Sequence, residues 1–296
     1  MRLALNALTD ELRRLKAAGV ARVSVSDEAI EALRKSAGSR PAASPAPTAA
    51  APAATPARSP AAQKAAAPGA APATTVPAPV VTLPEGDKQA RWNALRDIVL
   101  SDPLCKSKVR PGKKIVLGVG SLDAAIMFVG EAPGAEEEVQ GEPFVGPAGQ
   151  LLTKMIGGMG LARSDVYIGN IMNWRPDLPT AGDGPQTGNR PPTEAEMAHC
   201  LPYLKAQVEI VNPRLLVALG ASASKALLGY RAFGALGEVR GRWHEYSGRP
   251  LMVTYHPSYI LRSPTNRNKR LIWEDLLKVM ERAHLEISDK QRSYYL

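Results

Sequence analysis

The chain has 296 residues, with 37 Lys and Arg against 28 Asp and Glu, and a formal net charge of +9 favours an anionic partner, nucleic acid first. Only two cysteines, Cys105 and Cys200, argue against a disulfide scaffold and fit a reducing cytoplasm. No apolar run approaches the ~20 residues of a membrane span, and the N-terminus lacks a signal peptide's unbroken apolar stretch, so a soluble, cytoplasmic protein with no membrane partner is expected.

In chain order, residues 1–37 come first, with Leu5, Leu8, Leu12 and Leu15 spaced to form an apolar stripe on a short amphipathic helix. Such a helix suits either docking to a protein partner or packing back on the later domain or on its own copy. Residues 38–85 are dominated by Ala, Pro, Ser and Thr and read as a disordered, extended linker with nothing to bury. Residues 86–296 are long enough for one α/β domain. There, apolar runs at Ala124–Gly130, Val166–Asn170, Leu215–Gly220 and Leu251–Tyr255 have strand length and little polarity, as strands buried on both faces do. Helical segments separate or follow them: Gly146–Gly160, a helix opened by the capping-box pair Thr193 and Glu196, Ala221–Gly229 and Lys269–Leu285. Strand and helix in alternation predict a three-layer α/β/α fold around a mainly parallel, four-stranded sheet.

Ligands of open α/β sheets bind outside the carboxyl ends of the strands. The unusual residues fall there: "GEAPG" after the first run, Asn170 ending the second, "LGASAS" after the third and "YHPSYILR" after the fourth. Taken singly, the glycines need be no more than a tight turn, His256 a structural hydrogen bonder and Phe144 a core residue. Their placement on one rim makes them candidates for one site.

The segments "GEAPGAEEEVQGEPFVGPAGQLL", "VYIGNIMNWRP", "NRPPTEAEMAHCLPYL", "LLVALGASASKALLG" and "TYHPSYILR" together resemble the uracil-DNA glycosylase superfamily, nearest its iron-sulfur family 4. The resemblance implies a DNA glycosylase that flips uracil out of DNA, hydrolyses its glycosidic bond and initiates base-excision repair in a bacterial, nucleoid-associated setting. It implies that Asn170 reads the uracil edge, that Phe144 stacks on the base and that His256 hydrogen-bonds the uracil oxygen where charge develops. Backbone groups around Ala132 and Gly134 would assist. Glu131 is the first candidate for positioning water, and Glu137 the second. An Ala-Glu-Glu-Glu run is commonly a solvated surface, so at most one of Glu136, Glu137 and Glu138 is expected to face the pocket. Arg262, Arg267, Lys269 and Arg270 are suited to phosphate contacts, and Ile260, Leu261 and Arg262 to filling the gap left by the flipped base.

Family 4 enzymes hold a [4Fe–4S] cluster through four cysteines. Here only Cys105 and Cys200 match, with Asp or Pro in place of the first and Trp174 in place of the third. Two thiolates fall short of the ligands a cubane needs, so no cofactor is expected and Trp174 fills the space; His199 and His244 are the substitute ligands to weigh. A Pro- and Gly-rich insertion, residues 177–188, also departs from the family. The competing functions are a glycosylase for another deaminated base, such as hypoxanthine or xanthine, and a non-catalytic DNA-binding module associated with replication.

Overall fold

The computed structural model describes residues 78–178 and 186–296. The N-terminal helix, most of the linker and residues 179–185 of the insertion lie outside the described residues. Val81 and Leu83, ahead of the expected domain start, pack against the core.

Two helices the sequence reading left unassigned come first. α1 (Lys88–Ser101) starts at Asp87, whose carboxylate accepts from the Ala90 amide at 2.7 Å; α2 (Pro103–Lys108) starts at Asp102, which accepts from Cys105 at 2.6 Å. Side-chain caps of this kind satisfy amides that the first turn leaves unpaired. α1 buries fully only Leu95 and Val99, so its apolar periodicity is faint in the sequence.

After β1 (Val119–Gly120) come β2 (Ile126–Gly130), α3 (Ala135–Gln140), α4 (Pro147–Gly158), β3 (Tyr167–Asn170), α5 (Glu194–Val211), β4 (Leu215–Leu219) and α6 (Ala221–Leu228). The chain continues through β5 (Trp243–Tyr246), β6 (Arg249–Thr254), α7 (Pro257–Arg262), α8 (Asn266–Arg282) and α9 (Asp289–Arg292). Thr193 and Glu196 do form the predicted capping box at the start of α5.

The strands form one sheet in the order β1-β3-β2-β4-β6-β5, with β3, β2, β4 and β6 parallel. These are the four predicted strands. The sheet has six strands rather than four because β1 and β5 add antiparallel edges. β1 is too short to show a period. β5 and β6 form a hairpin across Ser247 and Gly248, both at positive φ, the geometry that matches the twist of paired strands.

Neighbouring residues of each central strand face opposite layers. Met127, Val129, Tyr167, Leu216, Ala218, Leu251 and Val253 join the cluster that includes α1, α5 and α6; Ile126, Phe128, Ile168, Val217, Leu219 and Met252 join the one that includes α4 and α8. Burial on both faces explains why the strands read as continuous apolar runs.

One buried polar group anchors the end of β6. Asp275 on α8, 1% exposed, accepts from Thr254 Oγ1 at 2.6 Å and pairs with Arg240 at 2.8 Å. Removing one partner of a buried pair leaves the other uncompensated. Asp275→Ala is expected to cost about 3 kcal/mol in denaturant unfolding and, because Thr254 precedes Tyr255 and His256, to lower activity as well.

Candidate active site

Four parallel strands end on one edge of the sheet. The register sets Gly130 beside Asn170 and Leu219 beside Thr254, so Glu131, Asn170, Gly220 and His256 arrive on one rim. They line a cavity of about 640 Å³ together with Ala132, Gly134, Phe144 and Arg262. That volume is in the range of ordinary ligand sites.

At the floor, Asn170 is 6% exposed and its side-chain oxygen has no hydrogen-bond partner among the described residues. A buried, unpaired amide oxygen costs free energy unless a ligand satisfies it. Gly130 makes room for it: a Cβ there would stand 2.4 Å from both Asn170 Oδ1 and the Phe144 ring.

Phe144 is buried with φ 55, a conformation that non-glycine residues adopt only when their surroundings impose it. Two features impose it. Gly149 lets α4 approach, since a Cβ there would meet the Phe144 carbonyl oxygen at 1.8 Å. Glu137 clamps the loop from the other side, its carboxylate accepting from the amides of Gly134 at 3.1 Å, Val145 at 3.1 Å and Gly146 at 3.0 Å. The Phe144 ring is thereby held 5.6 Å from that of His256.

This corrects three expectations. Glu137 is spent on three backbone amides, which makes it a positioning residue for the loop. The Gly134 amide points at Glu137 rather than at a substrate. Both Glu136 and Glu137 line the cavity, where at most one glutamate was expected, while Glu138 turns inward to pair with Arg175 at 2.9 Å. Glu137→Ala is expected to leave three amides unpaired, lowering stability by about 3 kcal/mol and kcat by more than tenfold. Parallel thermal melts and single-turnover rates would check both.

His256 caps α7. Its Nδ1 accepts from the Ser258 amide at 3.2 Å and lies 2.9 Å from Ser258 Oγ, which itself accepts from Arg262 at 3.1 Å. An Nδ1 that accepts leaves the proton on Nε2, available as a donor. Burial, with Arg262 adding positive charge nearby, holds the imidazole down at about 4, so it is neutral at neutral pH. Glu131 is shifted the opposite way: burial raises its carboxyl above the ordinary value, partly offset by a hydrogen bond with Ser222.

The expected DNA-contacting residues divide. Leu261 is 48% exposed and Arg262 also lies on the surface, next to the cavity. Ile260 is 5% exposed within the α4 and α8 layer and cannot wedge into DNA without leaving the core. Arg267 is exposed and Lys269 half-buried, its ammonium over the Tyr295 ring. Arg270 is committed to Glu274 at 2.9 Å and to the carbonyls of Arg292 and Tyr294, tying down the C-terminal segment.

The sequence reading missed other residues at the rim. Arg190 lines the cavity with its guanidinium held by both oxygens of Glu196, at 2.8 and 2.7 Å. Asn189 beside it is fixed by Arg175 at 2.8 Å. A basic segment also reaches this edge. β1 runs antiparallel to β3, and Val116 donates to the Asn173 carbonyl, so the chain ahead of β1 climbs past the carboxyl end of β3. It brings Lys106, Arg110, Lys113 and Lys114 to a groove against the end of α3. Five cations within nine residues were the available signal.

At the four positions that the family resemblance gives to cluster cysteines, the chain offers two thiols, Cys105 and Cys200. Trp174, 1% exposed, fills the place of the third cysteine and packs 6.2 Å from His199. His244 lies on β5, its Nε2 at 2.9 Å from the Val239 carbonyl oxygen, and is no substitute.

Comparison with known proteins agrees with this geometry. The Uracil DNA glycosylase superfamily matches residues 117–277, more than half of the chain. The Type-4 uracil-DNA glycosylase of Thermotoga maritima is 42% identical over 165 residues, which is 55% of this chain and 80% of that protein. Its counterpart in Pyrobaculum aerophilum is 42% identical over 53% of this chain and 78% of its own length, and that in Saccharolobus solfataricus 39% over 57% and 76%. With the sheet, the rim and the loop glycines in place, the chain belongs to the uracil-DNA glycosylase superfamily.

Proposed function

We infer that the chain is a uracil-DNA glycosylase that hydrolyses the bond between uracil and deoxyribose after the base has left the stack. The observation that carries this reading is the unpaired, buried oxygen of Asn170 beside the gap kept by Gly130 and the Phe144 ring. Uracil presents an N3–H donor next to the O4 acceptor, and one amide complements both. Cytosine presents the reverse pattern and leaves buried groups unpaired.

In this reading the base stacks on Phe144, with Asn170 at its N3 and O4 edge. His256 donates from Nε2 to O2, where negative charge gathers as the glycosidic bond breaks. Because the imidazole is neutral and already oriented by Ser258, little reorganisation accompanies that step, and such preorganised donors contribute roughly 3 kcal/mol. Glu131, ionised, orients the attacking water and stabilises the positive sugar. Its proton-free state matters more than its strength as a base, since the sugar carries oxocarbenium character before water adds.

DNA is held by phosphate contacts from Arg262, Arg267, Lys269 and the Lys106 to Lys114 segment, which position the duplex without reading sequence. Leu261 supplies the apolar side chain that enters the stack. No cubane has a part in this reading: of the four positions that the family resemblance gives to cluster cysteines, the chain keeps thiols at Cys105 and Cys200, and Trp174 stands at the third.

The test is cleavage of labelled DNA with one uracil, single-stranded or opposite G or A, followed by alkali, with Asn170→Ala and His256→Ala alongside. Uracil-dependent breakage that both variants lose supports the reading. No breakage at uracil, with breakage at hypoxanthine or xanthine, transfers the activity to another deaminated base; binding without breakage at any of them leaves a DNA-binding module.

A further inference from the structure

A second polar cluster lies apart from the cavity, where α2 meets α5. Asp102, Cys105 and His199 each offer a donor atom, and these atoms lie within 4.8 Å of one another. None of the three lines the active-site cavity. We propose that they form a mononuclear site for a divalent transition-metal ion of the zinc class, with the buried thiol of Cys200 on the neighbouring turn position as a further candidate donor.

The spacing decides between one ion and a cluster. Donors held about 2.0–2.2 Å from one tetrahedral ion stand about 3.3–3.6 Å from each other. His199 Nε2 lies 3.3 and 3.2 Å from the two oxygens of Asp102, and the Cys105 sulfur offers the third donor of a group whose atoms lie within 4.8 Å of one another. Ligands of a cubane stand on separate irons and are held further apart. The donor set is also that of zinc: thiolate, imidazole and carboxylate.

Two further features support the site. Asp102 is oriented from outside by the Tyr203 hydroxyl at 2.8 Å and the Cys105 amide at 2.6 Å, the kind of support that fixes a ligating carboxylate. His199 Nδ1 is buried with no hydrogen-bond partner among the described residues, so only Nε2 of that ring is engaged by protein groups. Metal binding would deprotonate Cys105, releasing its proton to solvent, and pin α2 to α5.

The experiment uses the full chain without a histidine tag, under reducing conditions. Metal analysis after dialysis against Zn²⁺ is expected to give one zinc per chain, and Co²⁺ one equivalent with a thiolate-to-cobalt charge-transfer band and tetrahedral d–d bands. Cys105→Ser and His199→Ala should lose the stoichiometric metal. Zn²⁺ should raise the melting temperature of the parent chain and a chelator lower it, with neither response in Cys105→Ser. A parent chain that takes up neither ion, or whose melting ignores both, overturns the proposal. So does a purified protein carrying several irons with labile sulfide. If the variants fail to fold, the parent's cobalt spectrum still decides, since its charge-transfer band needs a thiolate ligand. Because every readout is independent of uracil excision, failure here would leave the glycosylase reading untouched.

Discussion

Asn170→Asp is expected to lower kcat/KM for uracil excision by about a thousandfold, some 4 kcal/mol of transition-state stabilisation. The two side chains have nearly the same volume, so packing around the end of β3 should survive and melting should change little. What changes is the pattern. A carboxylate still accepts from N3–H but sets a second lone-pair oxygen against O4, and adds a charge close to the developing uracil anion. Asn170→Ala loses the same contacts but leaves space that water can enter, so it should be less damaging than Asp. That order, Asp worse than Ala, is the signature of edge reading rather than of lost packing; equal losses would make Asn170 a scaffold residue. Gly130→Ala tests the same geometry from the opposite wall. Its Cβ would sit 2.4 Å from Asn170 Oδ1 and from the Phe144 ring, so base and methyl compete for one gap. A loss of at least a hundredfold in kcat/KM, with the fold intact by circular dichroism, is expected.

How far the sequence disclosed this arrangement depends on where the information lies. The central strands were legible because burial on both faces makes them uninterrupted apolar runs, and their shared rim follows from parallel order. Thr193 and Glu196 were legible because a capping box is local. By contrast, β1 and β5 carry no period long enough to read, although the Ser247–Gly248 dipeptide does mark the hairpin that makes β5. At the site, the residue types at 131, 144, 170 and 256 could be assigned by resemblance, but the task of Glu137 could not. Nothing in "AEEEV" says that its second glutamate folds back onto amides eight and nine residues ahead. Ile260 and Leu261 show the same limit in the other direction. Adjacent apolar residues on a short helix face different ways, and only packing reveals which one is free. The loop is crowded with glutamates because they do separate jobs: Glu131 lines the cavity and, in the proposed mechanism, faces the sugar; Glu137 ties the loop; and Glu138 anchors Arg175 and with it the Asn189 wall.

The acid limb of the pH–rate profile is expected to belong to Glu131, not to His256. Activity in this reading needs Glu131 ionised and His256 neutral. Burial raises the Glu131 carboxyl above its ordinary 4.5, whereas burial and Arg262 lower His256 to about 4. As pH falls, Glu131 therefore takes up its proton first and the rate drops with it. Glu131→Gln should lose most of the rate and also this limb, leaving residual activity that declines only near pH 4. Arg262→Gln, which removes a positive charge from near the imidazole, should move the His256 limb upward. The stability profile carries the two groups with opposite sign. His256 binds its proton more weakly folded than unfolded, so it contributes stability above its unfolded value of about 6.5 that is lost as pH falls toward 4, in all about 3 kcal/mol. Glu131 binds its proton more tightly folded, so its contribution is present below pH 4.5 and disappears as pH rises through the raised value. In His256→Gln the decline in stability between pH 6.5 and 4 should accordingly be shallower than in the parent. A parent profile that breaks at pH 6.5 and loses that break in His256→Gln would show that the imidazole titrates as an ordinary exposed one. The neutral, preorganised donor at the uracil oxygen would then have to be abandoned.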